Sequence, residues 1–320
     1  MIEVKGLTKR YGEKLALDNI SFSIEAGQVV GLLGLNGAGK STTMNILTGY
    51  ISANAGAVLV GGYDIVAEGG KAKRLIGYLP EQPAFYPEMR VDEHLDFICG
   101  LRGAYKDKKA RAQHISEICA QVGISDVQRR MIRNLSKGYR QRVGFAQAII
   151  GQPKVIILDE PTAGLDPSQI IEMRKMIKDC GRQSTVIVSS HILSEIQTVC
   201  SRVIVINEGR VIADDTPERL TAGADAIHGI RLRIKGEPEQ VCAALLGTPG
   251  VQRVDKLDRG EPGAYDYAIF GEPDRDIREG VFFALAKAGL PMLATYGAGT
   301  SLEDVFLRLT GGAAAEEVSK

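Results

Sequence analysis

Val29-Val30-Gly31-Leu32-Leu33-Gly34-Leu35-Asn36-Gly37-Ala38-Gly39-Lys40-Ser41-Thr42 is the stretch whose reading decides the fold of this chain. Val29, Val30, Leu32 and Leu33 make a short apolar run of the kind that forms a buried parallel strand. From Gly34 the pattern becomes G-x-x-x-x-G-K-[ST], with Leu35, Asn36, Gly37 and Ala38 at the variable positions, then Gly39-Lys40-Ser41, and Thr42 following. Glycines let the backbone turn its N–H groups inward, where they meet phosphate oxygens. A helix opening at Lys40 adds unpaired N–H donors and the positive end of a dipole. Lys40 can reach the outer phosphates, and the Ser41 hydroxyl suits a magnesium ion. The stretch therefore predicts a strand, a phosphate-wrapping loop and a helix.

A second run, Val155-Ile156-Ile157-Leu158-Asp159-Glu160-Pro161, predicts a buried strand with two carboxylates at its C-terminal end. Open parallel α/β sheets bind their ligands at that end. Asp159 can hold magnesium directly or through water, and Glu160 can accept a proton from an attacking water. Neighbouring side chains leave a strand in opposite directions, so the two acids are expected to serve different partners. The apolar run 185–189 predicts a parallel strand on the same rim, leading into Ser190-His191 and placing His191 for a polar contact with the outer phosphate. Upstream, Arg10-Tyr11-Gly12 puts an aromatic at a turn, where the Tyr11 ring offers a flat face to a purine.

The other positions of interest stand at helix starts. Ser136, in Leu135-Ser136-Lys137-Gly138, is placed as an N-cap, and Gly138 lets an anion approach the first turn. Asp166-Pro167 predicts the start of a helix closed by Gly181.

Composition bounds the class. The chain has 320 residues, enough for about two domains. Its 39 basic and 39 acidic residues give a formal net charge of +0, so no global field points to nucleic acid or an anionic membrane. No apolar run reaches the roughly 20 residues needed to span a bilayer. The nearest, 281–298, contains Lys287, Gly289 and Pro291 and predicts helix, turn and strand. The N-terminus lacks a secretory pattern. Cys99, Cys119, Cys180, Cys200 and Cys242 lie far apart with no C-x-x-C pair, as expected of reduced, buried thiols in a cytosolic protein. Composition shifts after Leu220. Strand-like runs at 230–234 and 267–270 alternate with helix-like runs at 241–246 and 281–288, a pattern of a small α+β domain.

The phosphate loop, Leu135-Ser136-x-Gly138, the strand ending in Asp159-Glu160 and the later His191 occur in one order that resembles the ATP-binding-cassette (ABC) ATPases. The resemblance covers about residues 1–220, with Gly164-Leu165-Asp166 similar to the family's D-loop and Tyr11 at the place of its adenine-stacking aromatic. Ser301-Leu302-Glu303-Asp304-Val305-Phe306 and the string Leu-Ser-Lys-Gly-Tyr-Arg-Gln-Arg resemble the ABC-2 type exporters, among them gliding-motility and multidrug-export members. Two departures stand out. Lys137 and Tyr139 replace the first glycine and the glutamine of the family signature. Aligned on Gly77-Tyr78-Leu79-Pro80, the family's Q-loop glutamine position holds Glu81 and not Gln82, which leaves either one to bind magnesium or orient water.

The resemblance implies an α/β P-loop NTPase fold with a RecA-like core, an antiparallel β subdomain and a helical subdomain at about 85–150. An accessory α+β domain at 221–310 and a loose tail at 311–320 would follow. It implies an ATPase with ATP and Mg2+ as cofactors, working as a homodimer in which Lys40, Ser41, Asp159 and His191 of one copy face Ser136 and Gly138 of the other, with Asp166 also at the nucleotide. The partner would be an ABC-2 type transmembrane permease, with the chain peripheral on the cytoplasmic face of the inner membrane and no nucleic acid expected. The competing reading is a soluble ABC ATPase acting on ribosomes or DNA. Such proteins usually carry two cassettes or a long coiled-coil insertion, and this chain has one phosphate loop and no heptad array.

Overall fold

Val29–Leu33 runs through the middle of a six-stranded sheet. The strand order is Arg210–Asp215, Arg202–Asn207, Val29–Leu33, Thr185–Ser190, Val155–Leu158 and Ile76–Leu79. Five of these strands are parallel, and only Arg210–Asp215 returns antiparallel as a hairpin. Near-continuous apolar strands such as Val155–Leu158, buried at every position, are what a sheet covered on both faces requires. The computed structural model describes residues 1–105, 107–222, 229–272 and 275–296.

A second, antiparallel sheet is built from Lys14–Ile24, Ile2–Tyr11, Ala55–Val60 and Tyr63–Asp64. Its first two strands close on a two-residue turn, with Tyr11 paired to Lys14. Its inner face shares one hydrophobic core with the central sheet and the helix Lys40–Leu47, including Leu7, Leu17, Met44, Leu47 and Ile157.

Between the strands Ile76–Leu79 and Val155–Leu158 the chain forms the helices Val91–Arg102, Lys108–Gln121 and Lys137–Ile149. Gly123 follows the second of these in the left-handed conformation expected of a helix-terminating glycine. The third packs so closely on the sheet that a Cβ at Gly77 would lie 1.9 Å from the Ala148 carbonyl oxygen. Backbone cannot yield as a flexible side chain does. Gly77→Ala is therefore expected to lower stability by about 1–3 kcal/mol or more, read as a shifted denaturant midpoint. An unchanged midpoint would show that helix and strand are not locked at this point.

One local expectation fails. Val155–Leu158 ends before the acidic pair, so Asp159 and Glu160 do not diverge by strand alternation. They diverge because Glu160 turns into the left-handed region at φ 47, which side-chain-bearing residues rarely enter.

The chain divides into two compact units, Met1–Pro217 and Glu218–Lys320. From Gly229 on, the described part of the second runs Gly229–Lys235, Pro238–Leu246, Val251–Glu261, Ala264–Gly271, Arg278–Lys287 and Met292–Tyr296, a β-α-β-β-α-β succession. Its all-antiparallel sheet has Gly229–Lys235 between Ala264–Gly271 and Met292–Tyr296, and Val251–Glu261 on the outer edge. That is the ferredoxin-like arrangement. Val241, Leu245, Val281 and Leu285 of the two helices pack on Ile230, Leu232, Ile234, Tyr267 and Ile269 in a separate core. The string 301–306 and the tail 311–320 lie outside the described residues.

All five cysteines are free, and four of them are buried. Burial pushes the thiols of Cys119 and Cys180 up to about 11 and that of Cys200 to about 12, which leaves them unreactive. No described helix is long and apolar enough to cross a membrane.

Candidate nucleotide site

The loop between Val29–Leu33 and the helix Lys40–Leu47 forms the floor of a cleft of about 330 Å³. Asn36, Gly37, Gly39, Lys40, Ser41 and Thr42 line it, together with Tyr11, Lys14, Glu81, Glu160 and His191. Gly39 has φ 115 and lies so near the hairpin that a Cβ would stand 2.9 Å from the Ala16 carbonyl, so both torsion and space call for glycine. Gly34 and Ala38 of the same loop do not line the cleft. Leu35 contributes its carbonyl, which accepts from Lys40 Nζ at 3.3 Å.

Lys40 is buried, with its ammonium donating to the Gly34 carbonyl at 2.8 Å and standing 3.7 Å from Glu160 Oε1. Burial pulls this ammonium below the usual lysine range, while Glu160, Asp159 and Glu81 pull it back. A cation held by two carbonyls and facing several carboxylates is poised to exchange them for a polyanion.

The parallel register brings the rest of the site together. Leu33 pairs with Ser190 across the sheet, which sets His191 beside the phosphate loop. His191 Nδ1 lies 2.9 Å from Glu160 Oε2. Asp159 turns the other way, accepting from Ser41 Oγ at 3.4 Å and from Ser189 Oγ at 2.6 Å. Ser189 also takes the Glu160 N–H at 2.8 Å, so one buried hydroxyl holds both acids. Sequence reading passed over Ser189. Its signal is a polar residue at the end of an apolar strand, two before a histidine.

Ser41 and Asp159 offer only oxygen donors. Among the described residues no group of three or more His, Cys, Asp or Glu side chains forms a metal cage. Magnesium fits that set, because it takes one or two protein oxygens and completes its shell with phosphates and water. Of the two Q-loop candidates, Glu81 lines the cleft and Gln82 does not.

Ser136, Gly138 and Asp166 lie outside the cleft lining. Ser136 caps the helix Lys137–Ile149, accepting from the Tyr139 N–H at 3.3 Å. Gly138 is buried against the Gln169 side chain. Asp166 caps Pro167–Gly181, with Gln169 completing the capping box. Tyr139, at the signature glutamine's position, donates its hydroxyl to Asp126 Oδ2 at 2.9 Å.

A family profile described as ABC transporter matches residues 17–163. The daunorubicin resistance ATP-binding protein DrrA3 of Streptomyces coeruleorubidus is 34% identical over 318 residues, 97% of this chain and 96% of that protein. The chain belongs to the ABC transporter ATP-binding proteins. The linearmycin resistance ATP-binding protein LnrL of Bacillus subtilis (strain 168) is 36% identical over 260 residues, 79% of this ABC protein and 81% of LnrL. A bacterial ABC transporter cassette whose structure is dimeric shares 25% identity with a TM-score of 0.63, covering 68% of this chain and 98% of the cassette. The sheet order, helices and phosphate loop described above are those of the P-loop ABC ATPase fold. This ABC protein is the ATP-binding, ATP-hydrolysing subunit of a transporter, and the soluble alternative is not favoured.

Proposed function

We propose that this ATPase drives an ABC-2 type exporter, with two copies closing on two ATP molecules and a separate transmembrane permease moving in response. The chain would then sit peripherally on the cytoplasmic face of the membrane. The similarity to DrrA3 supports this reading, because it extends over nearly the whole chain and so includes the ferredoxin-like unit.

Within each site, the loop 34–42 holds the phosphates, Tyr11 faces the base, and Ser41, Asp159 and Glu81 would hold magnesium. Bound there, magnesium would offset the charge of the outer phosphates. Glu160 takes the proton of the attacking water, and His191 keeps its carboxylate oriented toward the outer phosphate. Ser136, Gly138 and Asp166 serve the nucleotide of the other copy. The observation that carries this head-to-tail arrangement is the split of the motif residues. Lys40, Glu160 and His191 converge on one cleft, whereas Ser136 and Gly138 stand at a helix start outside it.

Ser136→Arg tests the arrangement. Nucleotide binding by a single chain should be unchanged, while turnover falls by about 10²-fold or more, the scale for losing one preorganised donor at developing charge. Wild-type turnover in this variant would rule out Ser136 as a contact across the dimer.

A further inference from the structure

A buried carboxylate outside the cleft ties together the two segments that carry Glu160 and His191. Glu195 stands in the first turn of the helix Leu193–Val199 and is only 6% exposed. Its Oε2 accepts from Thr162 Oγ1 at 2.5 Å and from Ser190 Oγ at 3.2 Å. Arg174 Nη2 stands 3.8 Å from its other oxygen. Thr162 lies two residues after Glu160, and Ser190 directly precedes His191. Glu195 does not line the cleft.

Burying a carboxylate costs desolvation free energy, which an apolar side chain of similar size would avoid. Filling space is therefore a poor account of this residue. The left-handed backbone at Glu160 needs support from its surroundings, since the torsion is unfavourable for glutamate itself. Two hydroxyls give that support, one on each side of the turn. Ser189 holds the Glu160 N–H, and Thr162 is pinned by Glu195.

We infer that Glu195 is a positioning residue for hydrolysis, fixing the turn after Glu160 against the turn before His191 so that the two side chains stay in register. This rests on the proposed role of Glu160 as proton acceptor. ATP binding, made by the loop 34–42, does not run through Glu195. A reacting group misplaced by about 1 Å loses on the order of 10²-fold in rate, so the effect belongs in kcat and not in KM.

The experiment compares Glu195→Ala, Glu195→Gln and Thr162→Val in the full chain, each with and without Glu160→Gln. Glu195→Ala is expected to lower kcat by about 10- to 100-fold while KM for ATP stays within about twofold. Glu195→Gln, whose amide oxygen still accepts from Thr162, should keep most of the turnover. Thr162→Val, which preserves size but removes the hydroxyl, should reproduce the loss. In the Glu160→Gln background none of the three should lower the residual rate further, because the group being positioned is already gone. Normal kcat in Glu195→Ala overturns the inference, as does an equal further loss in the Glu160→Gln background. A Glu160→Gln chain with normal turnover would instead overturn the role of Glu160, and this inference with it.

Discussion

Lys40→Ala should lose ATP affinity by more than about 100-fold. One charge-assisted hydrogen bond contributes about 1.5–3 kcal/mol, and each 1.4 kcal/mol is a factor of about ten. A second effect adds to the first. Glu160 Oε1 stands 3.7 Å from this ammonium and the buried Asp159 also acts on it electrostatically, so the variant leaves buried acids without that cation. Incoming phosphates would then meet uncompensated negative charge. Titration with a fluorescent ATP analogue reads the loss directly, and a thermal melt controls for folding. Near-normal affinity in a folded variant would overturn the placement of the phosphates on this loop.

Glu160→Gln should slow hydrolysis by roughly 10²–10⁴-fold, the usual contribution of a general base, while nucleotide binding is little changed. Glutamine keeps the side chain's size and can still meet His191 Nδ1, now 2.9 Å from Oε2, so the pocket should hold its shape. Lys40, Ser41 and Asp159 are untouched. ATP that is bound but not cleaved should hold two copies together, giving a dimer in ATP that is absent in ADP. Light scattering distinguishes the outcomes. Normal turnover would leave Glu160 as a buried strand-end acid without a chemical role. Lost turnover without a dimer would keep the base and count against the two-copy site.

The pieces of this site were legible wherever a short stretch carries its own physics. Gly34 to Ser41 announces a loop and helix start by spacing alone, and four apolar residues before Asp159 announce a strand. Tyr11 and His191 were legible as candidates, but what sets His191 beside the loop is the pairing of Leu33 with Ser190, residues 157 positions apart. Non-local register leaves no trace in a local pattern. Glu81 and Gln82 are neighbours of similar size, and only the direction of the backbone decides which one faces the cleft. The divergence of Asp159 and Glu160 was anticipated for the wrong reason, because no propensity of glutamate foretells a left-handed torsion. In the second unit the α+β character was readable, but the placing of Gly229–Lys235 between two later strands was not, since antiparallel partners far apart in sequence share no motif.

That left-handed glutamate bears on how the sequence can drift. Asparagine or glycine at position 160 would relax the backbone, and a search for thermostable variants judged by melting temperature alone would tend to select them. Every such gain would remove the carboxylate. If Glu160 takes the proton of the attacking water as proposed, robustness and catalysis pull this position in opposite directions, and a screen scored on heat resistance without an ATPase readout would drift toward inert proteins.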